Sequence, residues 1–302
     1  MMHAIPNDIR WSEHMKKTFL MAASLVALST ATLAEAAPLS TQVYNADGNS
    51  FHVNATLVYG EHDAMLVDTG FTRADAMRIA AMVLDSGKTL KTIFISQADP
   101  DYYFGAQVLK EQFPEARLIT TPAVRAVIKD KMAGKLAFWT PKMGDNAPVK
   151  TLLPDAYEQT TLTVDGETIE IRDTSGELAH RPYLWIPSSK TVLGNVAVYG
   201  NVHLWMADAQ TPAEQTAWTQ QLEAMQALKP QTVIPGHMKA GTPMTAENIT
   251  FALNYLKAFQ QTVKASDNSQ QVIDTMEKRY PDAGLPMALS IGAKVHMGEM
   301  KW

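Results

Sequence analysis

Three polar strings sit directly behind short apolar runs of this chain: Asp68-Thr69-Gly70, Gln97-Ala98-Asp99-Pro100-Asp101-Tyr102 and Gly236-His237. They hold most of the side chains able to do chemistry. Asp99 and Asp101 flank a stiffening proline, which brings two carboxylates close together. Such a pair requires a cation, a shared proton or good solvation. The same residues suit a plain helix cap, with negative charge at the positive end of a helix starting near Tyr103. With His237 the two aspartates also supply the parts of a metal-free acid/base hydrolase. His180, beside Arg181, precedes an apolar run and reads either as a site residue or as a surface-loop histidine. His203 and Trp205 share one face if their segment has the two-residue period of a strand, which makes them a cleft wall or a packed rim. Asp208 caps the following helix or makes a turn. Trp139, with Phe138, is either a lid over a cleft or an anchor for a long loop.

Composition narrows the chemistry. The absence of cysteine from 302 residues removes disulfides, thiolate nucleophiles and cysteine-ligated zinc or iron–sulfur sites. Any metal must be held by histidine, carboxylate or neutral oxygen. A net charge of -5 and a pI of about 5.9 argue against a nucleic-acid partner, which needs a basic face. With 46% hydrophobic and 19% charged residues, the chain is neither disordered nor fibrous.

The elements that must position these groups follow from periodicity. Residues 43–53 and 55–67 alternate around turns, as antiparallel strands do, and residues 64–68 form a buried strand. A helix is predicted over residues 73–84, a buried strand over 90–96, a helix over 104–113, a strand over 117–120 and a helix over 123–136. Residues 137–155 are rich in Pro and Gly and lack a period, as a lid-like loop or a passage between halves would. A hairpin turning at Asp165-Gly166, strands at 183–186, 191–193 and 232–234, and helices at 211–228, 246–265 and 269–280 complete the pattern. Strands followed by β/α units, twice over, predict two packed sheets with helices outside, an α/β layered sandwich. Its sites lie beyond the carboxyl ends of strands, where the polar strings are.

The N-terminus reads as an address. Lys16-Lys17, an apolar run over 19–33 and Ala34-Glu35-Ala36 form a secretory signal with cleavage before Ala37. Residues 1–14 look like an upstream start. The expectation is an extension and signal at 1–36, a single domain at 37–302, and a periplasmic or secreted protein without a membrane span in its mature chain. Such a domain, lacking disulfides, must rely on core packing.

Taken together, in this order and spacing, the strings resemble the metallo-β-lactamase superfamily across roughly residues 43–257. Leu66-Val67-Asp68-Thr69-Gly70 matches its strand ending in Asp-Thr-Gly. Asp101 and Gly105 match the frame of its His-x-His-x-Asp-His string, and Val233-Ile234-Pro235-Gly236-His237 matches its late Pro-Gly-His. The resemblance implies an αββα four-layer sandwich of the metallo-β-lactamase type, with the site in a cleft along one edge of the sheets. It also implies metal-activated water attacking a carbonyl or phosphoryl group.

The departures reshape that chemistry. Gln97 and Asp99 stand where two histidines are usual, Tyr102 replaces a third, and Asn195 takes the place of a bridging aspartate. Glu177 falls at a fourth histidine, with His180 a competitor. Among the family's ligands only Asp101 and His237 remain, and these are the expected catalytic residues. Carried over, the metal set is Asp99, Asp101, Glu177 and His237, with Asp68 orienting a ligand and Gln97, Tyr102, His180, Asn195 and His203 lining the site. So oxygen-rich a set prefers Mg²⁺, Mn²⁺ or Ca²⁺, or Fe³⁺ with a Tyr102 phenolate, and holds zinc weakly. A single weakly held ion or none is expected. Two functions follow: an exported metal-dependent hydrolase of esters, lactones, amides or phosphoesters, or a catalytically inactive relative whose cleft binds a small ligand or a partner. β-Lactam hydrolysis is the least supported substrate.

Overall fold

A computed structural model of the chain describes residues 38–302; the extension, signal and cleavage point expected upstream lie outside them. The first half runs β1 (Ser40–Asn45), β2 (Asn54–Tyr59), β3 (Asp63–Val67), α1 (Arg73–Asp85), β4 (Thr89–Phe94), α2 (Pro100–Tyr103), α3 (Ala106–Gln112), β5 (Arg117–Thr120), α4 (Pro122–Met143) and β6 (Asp155–Ala156). The second runs β7 (Thr161–Val164), β8 (Glu167–Arg172), β9 (Tyr183–Ile186), β10 (Thr191–Leu193), β11 (Tyr199–Gly200), α5 (Pro212–Ala227), β12 (Thr232–Val233), β13 (His237–Met238), α6 (Glu247–Ala265), α7 (Ser269–Arg279) and α8 (Pro286–His296).

β1 to β6 form one sheet in chain order, antiparallel up to β3 and parallel beyond it. The second sheet has the order β12-β10-β9-β8-β7. Its β7–β8 hairpin turns at Asp165 and Gly166, both at positive φ, where the sequence puts the turn. Val58, Met65, Val67 and Phe94 of the first sheet pack with Leu162, Ile169, Leu184 and Ile186 of the second in one buried apolar layer. The outer face of the first sheet is covered by Ile79, Val83, Leu109, Val124 and Ile128 from α1, α3 and α4. That of the second sheet is covered by Trp218, Leu222, Tyr255 and Phe259 from α5 and α6. Strands buried on both faces read as unbroken apolar runs, and the result is the expected four-layer α/β sandwich.

Two local expectations are corrected. Residues 137–143 are not loop: α4 continues through them. Pro141 falls in the last turn, where its missing N–H leaves the Ala137 carbonyl without its helical donor, and the helix ends two residues later. Trp139 packs edge-on to Phe71, which holds the helix end down. Nor does the segment around His203 form a strand; it is irregular and enters a 3-10 turn at Met206–Asp208. Among the described residues it pairs only through the isolated bridge of Val202 with Gly284, so no two-residue alternation is imposed.

Candidate functional site

The end of β3 is held in an unusual conformation. Asp68 has φ 65°, and its buried carboxylate accepts from the Ser96 N–H and hydroxyl, both at 2.7 Å. Burial pushes its pKa up to about 7 against the opposing effect of those two bonds. Asp68 thereby ties the end of β3 to the residue following β4. Next to it, the Thr69 N–H and hydroxyl donate to the Tyr102 carbonyl at 2.8 and 2.9 Å. A Cβ on Gly105 would lie 1.9 Å from the Thr69 carbonyl oxygen, so only glycine lets α3 begin there.

His237 stands directly opposite Tyr199 in the β11–β13 pair, and the two rings stack with centroids 5.3 Å apart. Its Nδ1 lies 2.9 Å from the Phe51 carbonyl oxygen, which can only accept, so Nδ1 carries the proton. Nε2 then accepts from the Tyr102 hydroxyl at 3.0 Å, and Asp101 Oδ2 lies 3.6 Å from the same nitrogen. Burial lowers the His237 pKa to about 4. Burial, and then the Asp99 charge, raise that of Asp101 well above the carboxylate range. Both shifts oppose charge on the pair. Phe51 and His52 both have φ 57°, and two consecutive non-glycine residues in this region store of order 1 kcal/mol each. The strained turn aims the Phe51 carbonyl at the imidazole.

These groups open onto a cavity of about 560 Å³. One wall is aromatic: the Phe51 ring meets Phe71, Trp139 and Trp205 at centroid distances of 5.0, 5.5 and 6.4 Å. The other is charged, with Asp99 Oδ1 3.3 Å from Lys135 Nζ and Arg181 Nη2 3.9 Å from Asp208 Oδ2. Trp302 closes one side, donating from Nε1 to Asp208 and packing on Trp205.

The predicted site residues divide into three groups. Gln97, Asp99, Asp101, His180 and His237 line the cavity. Tyr102, Asn195 and Asp68 lie behind it and position its walls. The Asn195 carboxamide is spent on the chain itself: Oδ1 accepts from Ala197 N and Val198 N, and Nδ2 donates to the Ile234 carbonyl. A Cβ on Gly236 would lie 2.1 Å from the Asn195 carbonyl oxygen, which is why this loop crosses a glycine. Glu177 and His203 are away from the cavity. Glu177 is exposed in the β8–β9 connection, and His203 is buried with Nδ1 2.9 Å from the Tyr255 hydroxyl of α6.

A divalent ion therefore lacks its donors. Gln97 donates from Nε2 to the Pro182 carbonyl, Asp99 is paired with Lys135, and His237 has no lone pair to spare. Among the described residues no group of three His, Cys, Asp or Glu side chains gathers in a geometry that could hold a metal. The residues present do not fit the metal the resemblance implies.

Sequence reasoning missed Lys135, Tyr199 and Trp302 and gave Arg181 no role. Arg181 was visible only as the neighbour of His180. Lys135, inside the helix expected over residues 123–136, carried no signal, because nothing in the sequence ties that helix to the cleft.

Residues 48–237 match the sequence profile of the metallo-beta-lactamase superfamily. No curated protein sequence matches the chain. Among solved structures, a metallo-beta-lactamase family protein from Thermus thermophilus superposes with a TM-score of 0.57 at 15% identity, over 86% of this chain and 93% of that one. A metallo-beta-lactamase from Pontibacter korlensis superposes with a TM-score of 0.47 at 16% identity, over 72% of this chain and 94% of its own.

Proposed function

Since the chain belongs to the metallo-β-lactamase superfamily, we propose that it is an exported member whose cleft binds a small molecule and does not run the superfamily's metal-dependent hydrolysis. One observation carries the reading. The histidine that would serve as a metal ligand has both ring nitrogens engaged, Nδ1 by the Phe51 carbonyl and Nε2 by the Tyr102 hydroxyl. Imidazole binds a metal through a free lone pair, and here that lone pair accepts a hydrogen bond from within the fold. The alternative, an oxygen-rich metal hydrolase, needs Glu177 and Asp99 to join Asp101, whereas Glu177 is exposed and Asp99 is ion-paired.

What persists is the cavity. Its size and its mixture of aromatic wall and a few convergent polar groups are those of a small-molecule site. The signal expected over residues 15–36 would deliver it to the periplasm or beyond.

The test is elemental mass spectrometry on protein recovered from the periplasm without added metal, together with ester, lactone and phosphoester hydrolysis assays. Substoichiometric metal and no turnover are expected. One tightly held zinc, manganese or iron per chain, lost with activity on chelation, would overturn the proposal.

A further inference from the structure

We infer that the cleft receives an organic anion, its carboxylate or phosphate oxygens seated on Arg181 and Tyr199 and its apolar body against Phe51, Trp139 and Trp205. This rests on the reading of the cleft as a binding site and specifies the chemical class of its ligand.

Arg181 is the anomaly that leads there. Its side chain is only 7% exposed, and what remains exposed lines the cavity. The backbone is pinned, the N–H donating to Leu178 and the carbonyl accepting from Gln221 Nε2. The guanidinium lies 5.3 Å over the Trp218 ring. Yet among the described residues none of its N–H donors makes a hydrogen bond, and its carboxylate neighbour Asp208 stands off at 3.9 Å. A buried guanidinium needs acceptors, and a pair of anionic oxygens matches its planar fork.

Tyr199 repeats the pattern independently. It is fully buried, its ring is held between His237 and Trp218, and its hydroxyl has no partner among the described residues. Both groups thus rest on Trp218 and line one cavity. The acidic residues of that cavity are differently placed. Asp99 is paired with Lys135, Asp208 accepts from Trp302 Nε1, and Glu214 caps α5 through Thr211. Burial and the Asp99 charge raise the Asp208 pKa, while Arg181 and the bond from Trp302 lower it. Apart from Asp101, which lies 3.6 Å from His237 Nε2 at the cavity floor, the groups left unspent are donors, and they call for an acceptor. An ammonium ligand would find Asp99, Asp208 and Glu214 already engaged.

Calorimetry and thermal melts of the mature protein, in chelator at neutral pH, decide the matter. The probes are indole-3-acetate, phenyl phosphate, inorganic phosphate, tryptamine and indole. Saturable binding of indole-3-acetate or phenyl phosphate is expected, with tryptamine and indole weaker by about tenfold or more. The stronger of the two anions identifies the headgroup, and inorganic phosphate alone should bind more weakly than phenyl phosphate.

Arg181→Gln should cut anion affinity about tenfold or more, Arg181→Lys should restore part of it, and Tyr199→Phe should cost a smaller factor. Because the unliganded guanidinium lacks acceptors, Arg181→Gln should melt no lower than wild type. Binding of tryptamine in preference to the anions, no saturable binding of either organic anion, or a lower melting temperature with anion affinity intact would each overturn the inference. The two readings fail separately. A stoichiometric metal alongside Arg181-dependent anion binding defeats only the metal-free cleft, whereas a metal-free chain that ignores both anions defeats only the anion site.

Discussion

The Tyr102 hydroxyl lies 3.0 Å from Nε2 of His237 and donates to it, because Nδ1 of that ring is already the donor to Phe51. Tyr102→Phe removes the donor and leaves a buried lone pair beside Asp101. The variant should lose about 1 kcal/mol of stability. It should bind zinc more tightly than wild type by calorimetric titration, since an imidazole nitrogen becomes available. Equal zinc affinity in the two proteins would mean that something other than the tyrosine blocks the metal.

Asp101 provides a pH-dependent test. Its pKa in the fold is raised by burial and by Asp99, so the native state holds its proton where the unfolded chain has released it. Stability then falls as pH rises from about 4 toward the raised value, because the native state binds more protons. Asp68, pushed up to about 7, adds to the same downward slope. Asp101→Asn should match wild type near pH 4 and be more stable by about 1–2 kcal/mol near pH 8, with Mn²⁺ or Mg²⁺ shifting neither melt. A wild-type melting temperature that rises with one of these ions, and a variant that loses the rise, would instead place a cation at Asp101.

Two glycines should respond oppositely to alanine. Gly134 is exposed on α4 with nothing within 4 Å of an added Cβ. Gly134→Ala should therefore gain about 0.5–1 kcal/mol through helix propensity. At Gly236 the same methyl would lie 2.1 Å from the Asn195 carbonyl oxygen and 2.7 Å from the Tyr102 hydroxyl. Gly236→Ala should cost about 3 kcal/mol and disturb the His237 environment. Urea unfolding measures both, and a tolerated Gly236→Ala would show that the Asn195 loop is free to shift.

Export has a direct chemical readout. Intact-mass measurement on periplasmic protein should find a chain beginning at Ala37 or within a residue or two of it. Retention of Met1 or Met15 would remove the signal reading.

Asp68-Thr69-Gly70, Asp101, Gly105 and Pro235-Gly236-His237 were legible because each follows a strand whose apolar run is unmistakable, and the fold could be laid out from them. Elsewhere the sequence pattern loses out to tertiary packing. Trp139 stays helical past a discouraging Pro-Gly composition because Phe51 and Phe71 give it somewhere to pack. Glu177 was placed by counting back from β9 through a connection of variable geometry, and it faces solvent. His203 is a core residue satisfied by Tyr255, some fifty positions away in sequence. Arg181 carries a signal only once its burial and its lack of acceptors are known, and both are properties of the fold.

Phe51 joins two otherwise separate tasks. Its carbonyl sets the proton on His237, and its ring is the hub of the aromatic wall. In genetic terms such a position is pleiotropic, but its two roles belong to different parts of the residue. Glycine would keep the carbonyl, accept the φ of 57° and delete the ring. Leucine would retain apolar bulk, lose the stacking edges and still bear the strain. Substitutions at this one codon that keep the turn should therefore alter what the cleft admits and leave the hydrogen-bonded state of its histidine in place.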